Sequence, residues 1–174
     1  DNGYSDAIMF YAQMLVQGNG IPANYPKALS LFKSLADAGN HEACYQYGLM
    51  LHNGQGTQKD YNEAARYFKM AADMGNVDAL YSYGMMYFLG EGFQADKVTG
   101  AQYIKRCADL GNVKAMFFYA LILNHGDWIP RDYDESMRYL NLAAMNGNAR
   151  AIQIIQEHSQ RQVTGNNQDW SKQF

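Results

Sequence analysis

Gly39-Asn40, Gly75-Asn76, Gly111-Asn112 and Gly147-Asn148 stand 36 residues apart, and one further step back lands on Gly3. An alanine comes four residues after each glycine, at Ala7, Ala43, Ala79, Ala115 and Ala151. Tyr11, Tyr47, Tyr83 and Tyr119 share another position, each followed by a small residue (Ala12, Gly48, Gly84, Ala120), and Ala36, Ala72, Ala108 and Ala144 hold a third. A fixed period of this length marks stacked supersecondary units, each too thin to bury its own apolar side. The chain is confined to a repeat architecture before anything else about it is considered.

Each unit reads as two helices. From Glu42 to Asn53, the positions Ala43, Cys44, Tyr47, Gly48, Met50 and Leu51 recur at helical spacing and define one buried face. A turn follows at Gly54-Gln55-Gly56, matched by Gly18-Asn19-Gly20 and Gly90-Glu91-Gly92. Asp60 then starts a second helix, with Ala64, Tyr67, Phe68, Ala71 and Ala72 on its inner side. Asp60 with Glu63, and Asp132 with Glu135, have the spacing of reciprocal capping boxes, and Asn24 and Asp96 occupy the same cap position. The next glycine ends the second helix, because glycine adopts the left-handed conformation there at little cost. The small columns, Gly48, Gly84, Ala72 and Ala108 among them, let antiparallel helices approach closely. The fold expected is all-α: a right-handed α–α superhelix of four 36-residue helix pairs, about 3–38, 39–74, 75–110 and 111–146, with a capping helix at 147–161. Residues 1–161 then form the repeat domain, and 162–174 a polar tail, expected to be mobile, whose Trp170 is a candidate anchor.

Composition narrows the function. The net charge is -3 and the 14 Lys and Arg residues are scattered, whereas a nucleic-acid surface needs a basic stripe to neutralise phosphates. No run approaches the roughly 18–20 apolar residues of a membrane span, so direct membrane insertion is not expected. Cys44 and Cys107 fall at different places in the repeat and read as reduced core thiols, which favours a reducing intracellular compartment. The chain opens Asp1-Asn2-Gly3 without an initiator Met, so a piece of a larger protein or a processed product is expected, with room for a lost targeting segment.

Ala79, Tyr83, Gly84, Tyr87, Gly90 and Gly92, preceded in the unit before by Asp60, Tyr61, Ala64, Tyr67, Phe68, Ala71, Ala72 and Gly75, carry a resemblance to the Sel-1-like repeat family that extends over residues 3 to about 161. The resemblance implies an α-solenoid related to tetratricopeptide arrays. It also implies a role as adaptor or scaffold in protein complexes, as in membrane-protein degradation at the endoplasmic reticulum, bacterial signalling and host interaction. It brings no catalytic residues. One secreted bacterial branch, linked to lactam binding or hydrolysis, has a cysteine pair in each repeat. This chain lacks those pairs, and a hydrolase or small-molecule-binding protein of that kind is the alternative reading. Gly100 and Ser136 replace the usual alanine of their column, and Trp128 replaces the second turn glycine, so the loop around Gly126 should be the most irregular.

Once the core columns are removed, five positions of each first helix remain, and in solenoids of this kind they line the concave face. Here they run Asp6, Glu42, Asp78, Lys114; Met9, Tyr45, Tyr81, Phe117; Gln13, Leu49, Met85, Leu121; Val16, His52, Phe88, Asn124; and Gln17, Asn53, Leu89, His125. Tyr45, Leu49, Tyr81, Met85, Phe117 and Leu121 make an apolar double row where a solvated helix would be polar, and exposed apolar area of that extent marks an interaction site. The expected partner-binding set is Glu42, Tyr45, Leu49, His52, Asn53, Asp78, Tyr81, Met85, Phe88, Lys114, Phe117 and Leu121, taking a protein or peptide. The other possibility is that a tightly curved stack buries these residues against the adjacent unit.

The last helix puts His158 and Ser159 where earlier units have Met50 and Leu51, a polarity that suits a terminal cap. The first helix shows no such relief, with Ile8, Met9, Phe10 and Tyr11 consecutive, so either a further unit or a second copy of the chain is expected to pack there. Catalysis, a metal and a cofactor are not expected. The Gly-x-Gly turns follow helices rather than strands. His41, His52, His125 and His158 lie in different units without close-spaced partners, His52 and His125 being roughly 20 Å apart at ordinary helix-packing distances.

Overall fold

The computed structural model describes residues 2–164. Among these the chain forms nine helices: α1 (Asn2–Gln17), α2 (Tyr25–Asp37), α3 (His41–Asn53), α4 (Tyr61–Asp73), α5 (Val77–Leu89), α6 (Lys97–Asp109), α7 (Val113–His125), α8 (Tyr133–Met145) and α9 (Ala149–Thr164). The all-α repeat of helix pairs with a C-terminal helix is therefore what the chain builds. Helix α9 continues three residues past the expected end of the cap, while Trp170 and the rest of the tail lie outside the described residues.

The repeated asparagines start the odd-numbered helices. Asn40, Asn76, Asn112 and Asn148 each accept a hydrogen bond from the backbone N–H three residues on, at 2.8–2.9 Å. The even-numbered helices start on Asn24, Asp60, Asp96 and Asp132, which do the same at 2.9–3.0 Å. Such caps satisfy one of the free amides of the first turn.

The reciprocal capping boxes expected at Asp60/Glu63 and Asp132/Glu135 form only by half. The backbone N–H of Asp60 already donates to the Leu51 carbonyl at 3.0 Å, and that of Asp132 to Leu123 at 3.2 Å. Glu63 and Glu135 turn instead to Arg66 and Arg138, one turn along. The bonds that displace the box tie the start of each second helix to the end of the first, which fixes the hairpin.

The odd-numbered helices α3, α5 and α7 stop on Gly54, Gly90 and Gly126, left-handed at φ 73, 78 and 74°. The second turn glycine has a different reason to be glycine. A Cβ on Gly56 would stand 2.7 Å from the Tyr25 carbonyl, and one on Gly92 2.9 Å from that of Tyr61, so each turn is seated on the start of the second helix one unit earlier. Trp128 occupies the corresponding place in the fourth unit, where an indole cannot enter such a gap. Its ring lies beside Lys97, the residue in register with Tyr25 and Tyr61, with Nζ 4.5 Å from the ring centroid.

Two compact units divide the chain, one ending at Ala95 and the other beginning at Asp96. In the first, α1 packs on α2, α2 on α3, α3 on α4 and α4 on α5; in the second, α6 packs on α7, α7 on α8 and α8 on α9. Ala43, Cys44, Tyr47, Gly48, Met50 and Leu51 are all buried, as are Ala64, Tyr67, Phe68 and Ala71, while Ala72 is half-buried. Gly48 lies against the Phe68 ring: an added Cβ would lie 2.8 Å from Cδ1 and Cε1. Both cysteines are buried thiols outside any disulfide, and burial pushes the Cys44 thiol up.

Candidate functional site

In the first unit, a cleft of about 190 Å³ opens between α3 and α5 over the side of α4. Leu49 and His52 come from α3, Phe68 from α4, Tyr81, Ser82, Met85, Met86 and Leu89 from α5, and Glu91 from the turn that follows. Helical spacing collects them. Ser82, Met85, Met86 and Leu89 recur at steps of three and four and so form one stripe, with Tyr81 one turn before Met85. Met86, on the inner edge of the stripe, is buried in the core, while Tyr81, Ser82 and Met85 stay half-buried and Leu89 exposed on the side of α5 that its neighbours leave open.

The floor is apolar and aromatic. His52 leans on Tyr61, ring centroids 5.1 Å apart, and on Phe68 at 6.3 Å. Tyr45 sits 5.9 Å from the same Phe68 ring, and burial pushes its hydroxyl up while a hydrogen bond with Ser82 works the other way. The rim is polar. His52 Nε2 and Glu91 Oε2 are 2.8 Å apart, although 39 residues separate them in the chain. At the opposite end Glu42 accepts from Gln46 at 2.8 Å and from Asn76 at 3.0 Å, which ties the first turn of α3 to the cap of α5. Ser82 donates its hydroxyl to the Asp78 carbonyl at 3.0 Å.

Of the twelve residues expected to meet a partner, Leu49, His52, Tyr81 and Met85 line the cleft together, with Tyr45 and Glu42 beside it. Asn53 and Asp78 are exposed on the same two helices. Phe88 is a correction: at 6 % exposure it offers a partner almost nothing to touch. Phe88 and Asn124 each lie one helical turn after a buried small residue, Gly84 and Ala120, and are buried with it, whereas His52, one turn after Gly48 in the same column, stays half-buried beside the cleft. Lys114, exposed, and Phe117 and Leu121, both half-buried, stand on α7 in the second unit.

Phe68, Ser82, Met86, Leu89 and Glu91 were not in the expected set. Phe68 and Met86 serve as core and cleft floor at once, a double use that a core column cannot announce. Glu91 was legible only as a turn residue. The signal for it was its offset from His52, one repeat plus three residues, which carries the turn of one unit to the end of the first helix in the unit before.

Among the described residues, no group of three or more His, Cys, Asp or Glu side chains is gathered as donors for a metal ion, and no helix is long and apolar enough to cross a membrane.

Comparison with known proteins places this geometry. No curated protein matches the chain in sequence. In structure it is similar to c5321, a protective antigen present in uropathogenic Escherichia coli strains and displaying an SLR fold, with TM-score 0.80 and 27 % identity over 86 % of this chain and 32 % of that one. It is similar to a Sel1 repeat protein from Oxalobacter formigenes, with TM-score 0.80 and 28 % identity over 88 % of this chain and 63 % of that one. The chain thus spans less than two thirds of either protein. Helicobacter pylori cysteine rich protein B shares the fold at 21 % identity and TM-score 0.55, over 66 % of this chain and 87 % of that one. The Sel1 repeat model matches residues 5–40, 41–76, 77–112 and 113–148. With four such repeats in succession over most of its length, the chain belongs to the Sel1 repeat family, an α–α solenoid class.

Proposed function

We propose that this chain is a non-catalytic scaffold or adaptor that holds a peptide or protein partner on the exposed side of its odd-numbered helices, with the cleft between α3 and α5 at the centre of the contact. Sel1 repeat proteins are generally scaffolds for protein–protein interaction. The observation that carries the reading to this surface is that Leu49, Tyr81 and Met85 stay half-buried around an open cleft instead of closing on one another. Apolar side chains left in that state gain free energy when a partner covers them, at about 25 cal/mol per Å². The polar groups of the cleft, the His52–Glu91 pair and Ser82, sit beside this apolar lining without a nucleophile activated by a base, and so they serve orientation rather than chemistry.

The test is affinity capture from the native cell with Leu49→Glu plus Met85→Glu as control. The reading expects the double variant to keep its helix content and melting temperature and to lose the captured partner. A double variant that unfolds, or one that captures the same partner as well as the parent chain, overturns it.

A second surface, on α1, suits a further repeat or a second copy of the chain. On α1, Tyr4 is 73 %, Phe10 65 % and Tyr11 45 % exposed, although Tyr47, Tyr83 and Tyr119 in the Tyr11 column are 7, 8 and 7 % exposed. Asp6 is the one charge in α1, so two such faces can meet with little like-charge repulsion.

A further inference from the structure

We infer that the cleft between α3 and α5 seats one bulky apolar side chain from a basic segment of the partner: a Leu, Met or Phe standing between lysines or arginines. This rests on the scaffold reading above and specifies what the scaffold would take.

Size decides the first half. Small-molecule and cofactor sites run from about 300 to 1,000 Å³. The cleft, at about 190 Å³, is below that range and is matched instead to a single large side chain. Its walls suit such an anchor. Leu49, Phe68 and Leu89 give apolar area, Met85 and Met86 adapt their shape to what enters, and Tyr81 adds an aromatic face.

Charge decides the second half. Neither α3 nor α5 contains a lysine or an arginine. Their first turns carry Glu42 and Asp78, and Glu91 stands at the far end, so carboxylates lie at both ends of the apolar cleft. An acidic segment entering here would meet like charge at each end, while a basic one meets its complement. Glu91 has acceptor capacity to spare, because a carboxylate offers about four lone-pair sites and His52 uses one. With roughly a quarter of its side chain exposed at the rim (27 %), it remains within reach of a cation.

Fluorescence anisotropy with short labelled peptides tests the inference. One probe has a central Phe between two pairs of lysines, the second has Ala in place of Phe, and the third has Glu in place of each Lys. The Lys–Phe peptide should bind, and more weakly as salt is raised. The Ala peptide should bind at least roughly tenfold more weakly, as the loss of a large buried side chain implies. The Glu peptide should not bind. Glu91→Gln should weaken the Lys–Phe peptide several-fold and flatten its salt dependence without moving the melting temperature. The inference is overturned if the Ala peptide binds as tightly as the Phe peptide, if the Glu peptide matches the Lys peptide, or if none of them binds. Should none bind while the captured partner still depends on Leu49 and Met85, the inference falls and the scaffold reading stands. Should the partner be indifferent to Leu49 and Met85 as well, both fall.

Discussion

The hydroxyl of Tyr67 donates to Oδ1 of Asp37, 3.3 Å away and 30 residues earlier in the chain. Tyr139 and Asp109 repeat the contact in the second unit with the same offset. Each tyrosine is on the second helix of one repeat and each aspartate at the end of the second helix one repeat before, so the bond fastens neighbouring hairpins where the small-residue columns hold them close. A lysine completes each clasp, Lys33 with Asp37 and Lys105 with Asp109, both at 2.8 Å. Tyr139→Phe removes the hydroxyl and little else. It should lower stability by about 1 kcal/mol, a small value for a bond to a charged acceptor because Asp109 remains partly solvated. Urea unfolding of the variant against the parent chain checks this. In the Asp109→Asn background the same change should cost less.

The clasp also sets the response to acid. Burial works against the Asp109 carboxylate, but its bonds to Lys105 and Tyr139 overcome that and hold its pKa below the usual carboxylate value; Lys33 holds Asp37 low in the same way. A carboxyl depressed in the folded chain binds fewer protons there than in the unfolded chain. Its contribution is complete above the unfolded value of about 3.9 and is lost as the pH falls through the folded value. Stability should therefore be level from neutral pH down to about 5 and decline below about 4. The urea midpoints of the parent chain and of Asp109→Asn should converge as the pH is lowered through that window.

Gly48 and Phe68 make a contact with no slack. Alanine at Gly48 gains about 1 kcal/mol of helix propensity, but its methyl would sit 2.8 Å from the Phe68 ring. Overpacking costs about 1–3 kcal/mol, so Gly48→Ala should destabilise the chain on balance. The sign of the effect reports the mechanism. In a Phe68→Leu background, where the ring is gone, Gly48→Ala should be neutral or stabilising.

The exposed face of α1 makes a prediction about mass. Tyr4, Phe10 and Tyr11 should bring two copies together as concentration rises, and Phe10→Glu should keep them apart by placing a buried like-charge pair at the contact. Light scattering decides it. A single-chain mass for the parent protein at high concentration rules out self-association through this face.

The repeat was open to reading because stacking forces the same steric demand at every period. Ala43, Ala79, Ala115 and Ala151 are all fully buried, Gly48, Gly84 and Ala120 are buried as well, and a column of small residues is what such a demand leaves behind. The clasp and the cleft were not open in the same way. Asp37, Asp73 and Asp109 form a column, as do Tyr67, Tyr103 and Tyr139, but a column says which residues share an environment and not which column they touch. Glu91 is harder still, since its meeting with His52 depends on where a turn carries the backbone. Phe88 was misjudged for a related reason: the boundary between a free face and a packed one falls between positions a single helical step apart, and three-dimensional stacking decides on which side a residue lies.

Asn124 is 1 % exposed, and among the described residues neither its amide nitrogen nor its carbonyl oxygen has a hydrogen-bond partner. Its column holds Val16, His52 and Phe88, so the site accepts an apolar side chain elsewhere in the same protein. Leaving a buried polar group unsatisfied costs about 1–3 kcal/mol, whereas a well-packed apolar replacement incurs no such penalty. Leucine is close to asparagine in length and branching, so Asn124→Leu should raise the melting temperature, by the equivalent of about 1–2 kcal/mol. Ser136 provides the contrast. It is also fully buried, but its hydroxyl donates to the Ala120 carbonyl at 2.7 Å, so Ser136→Ala should be nearly neutral or mildly destabilising. Thermal unfolding of the two variants side by side separates the cases: a gain at Asn124 without one at Ser136 is the expected pattern. A loss at Asn124 would mean that its amide is held by a water or by a group outside the described residues.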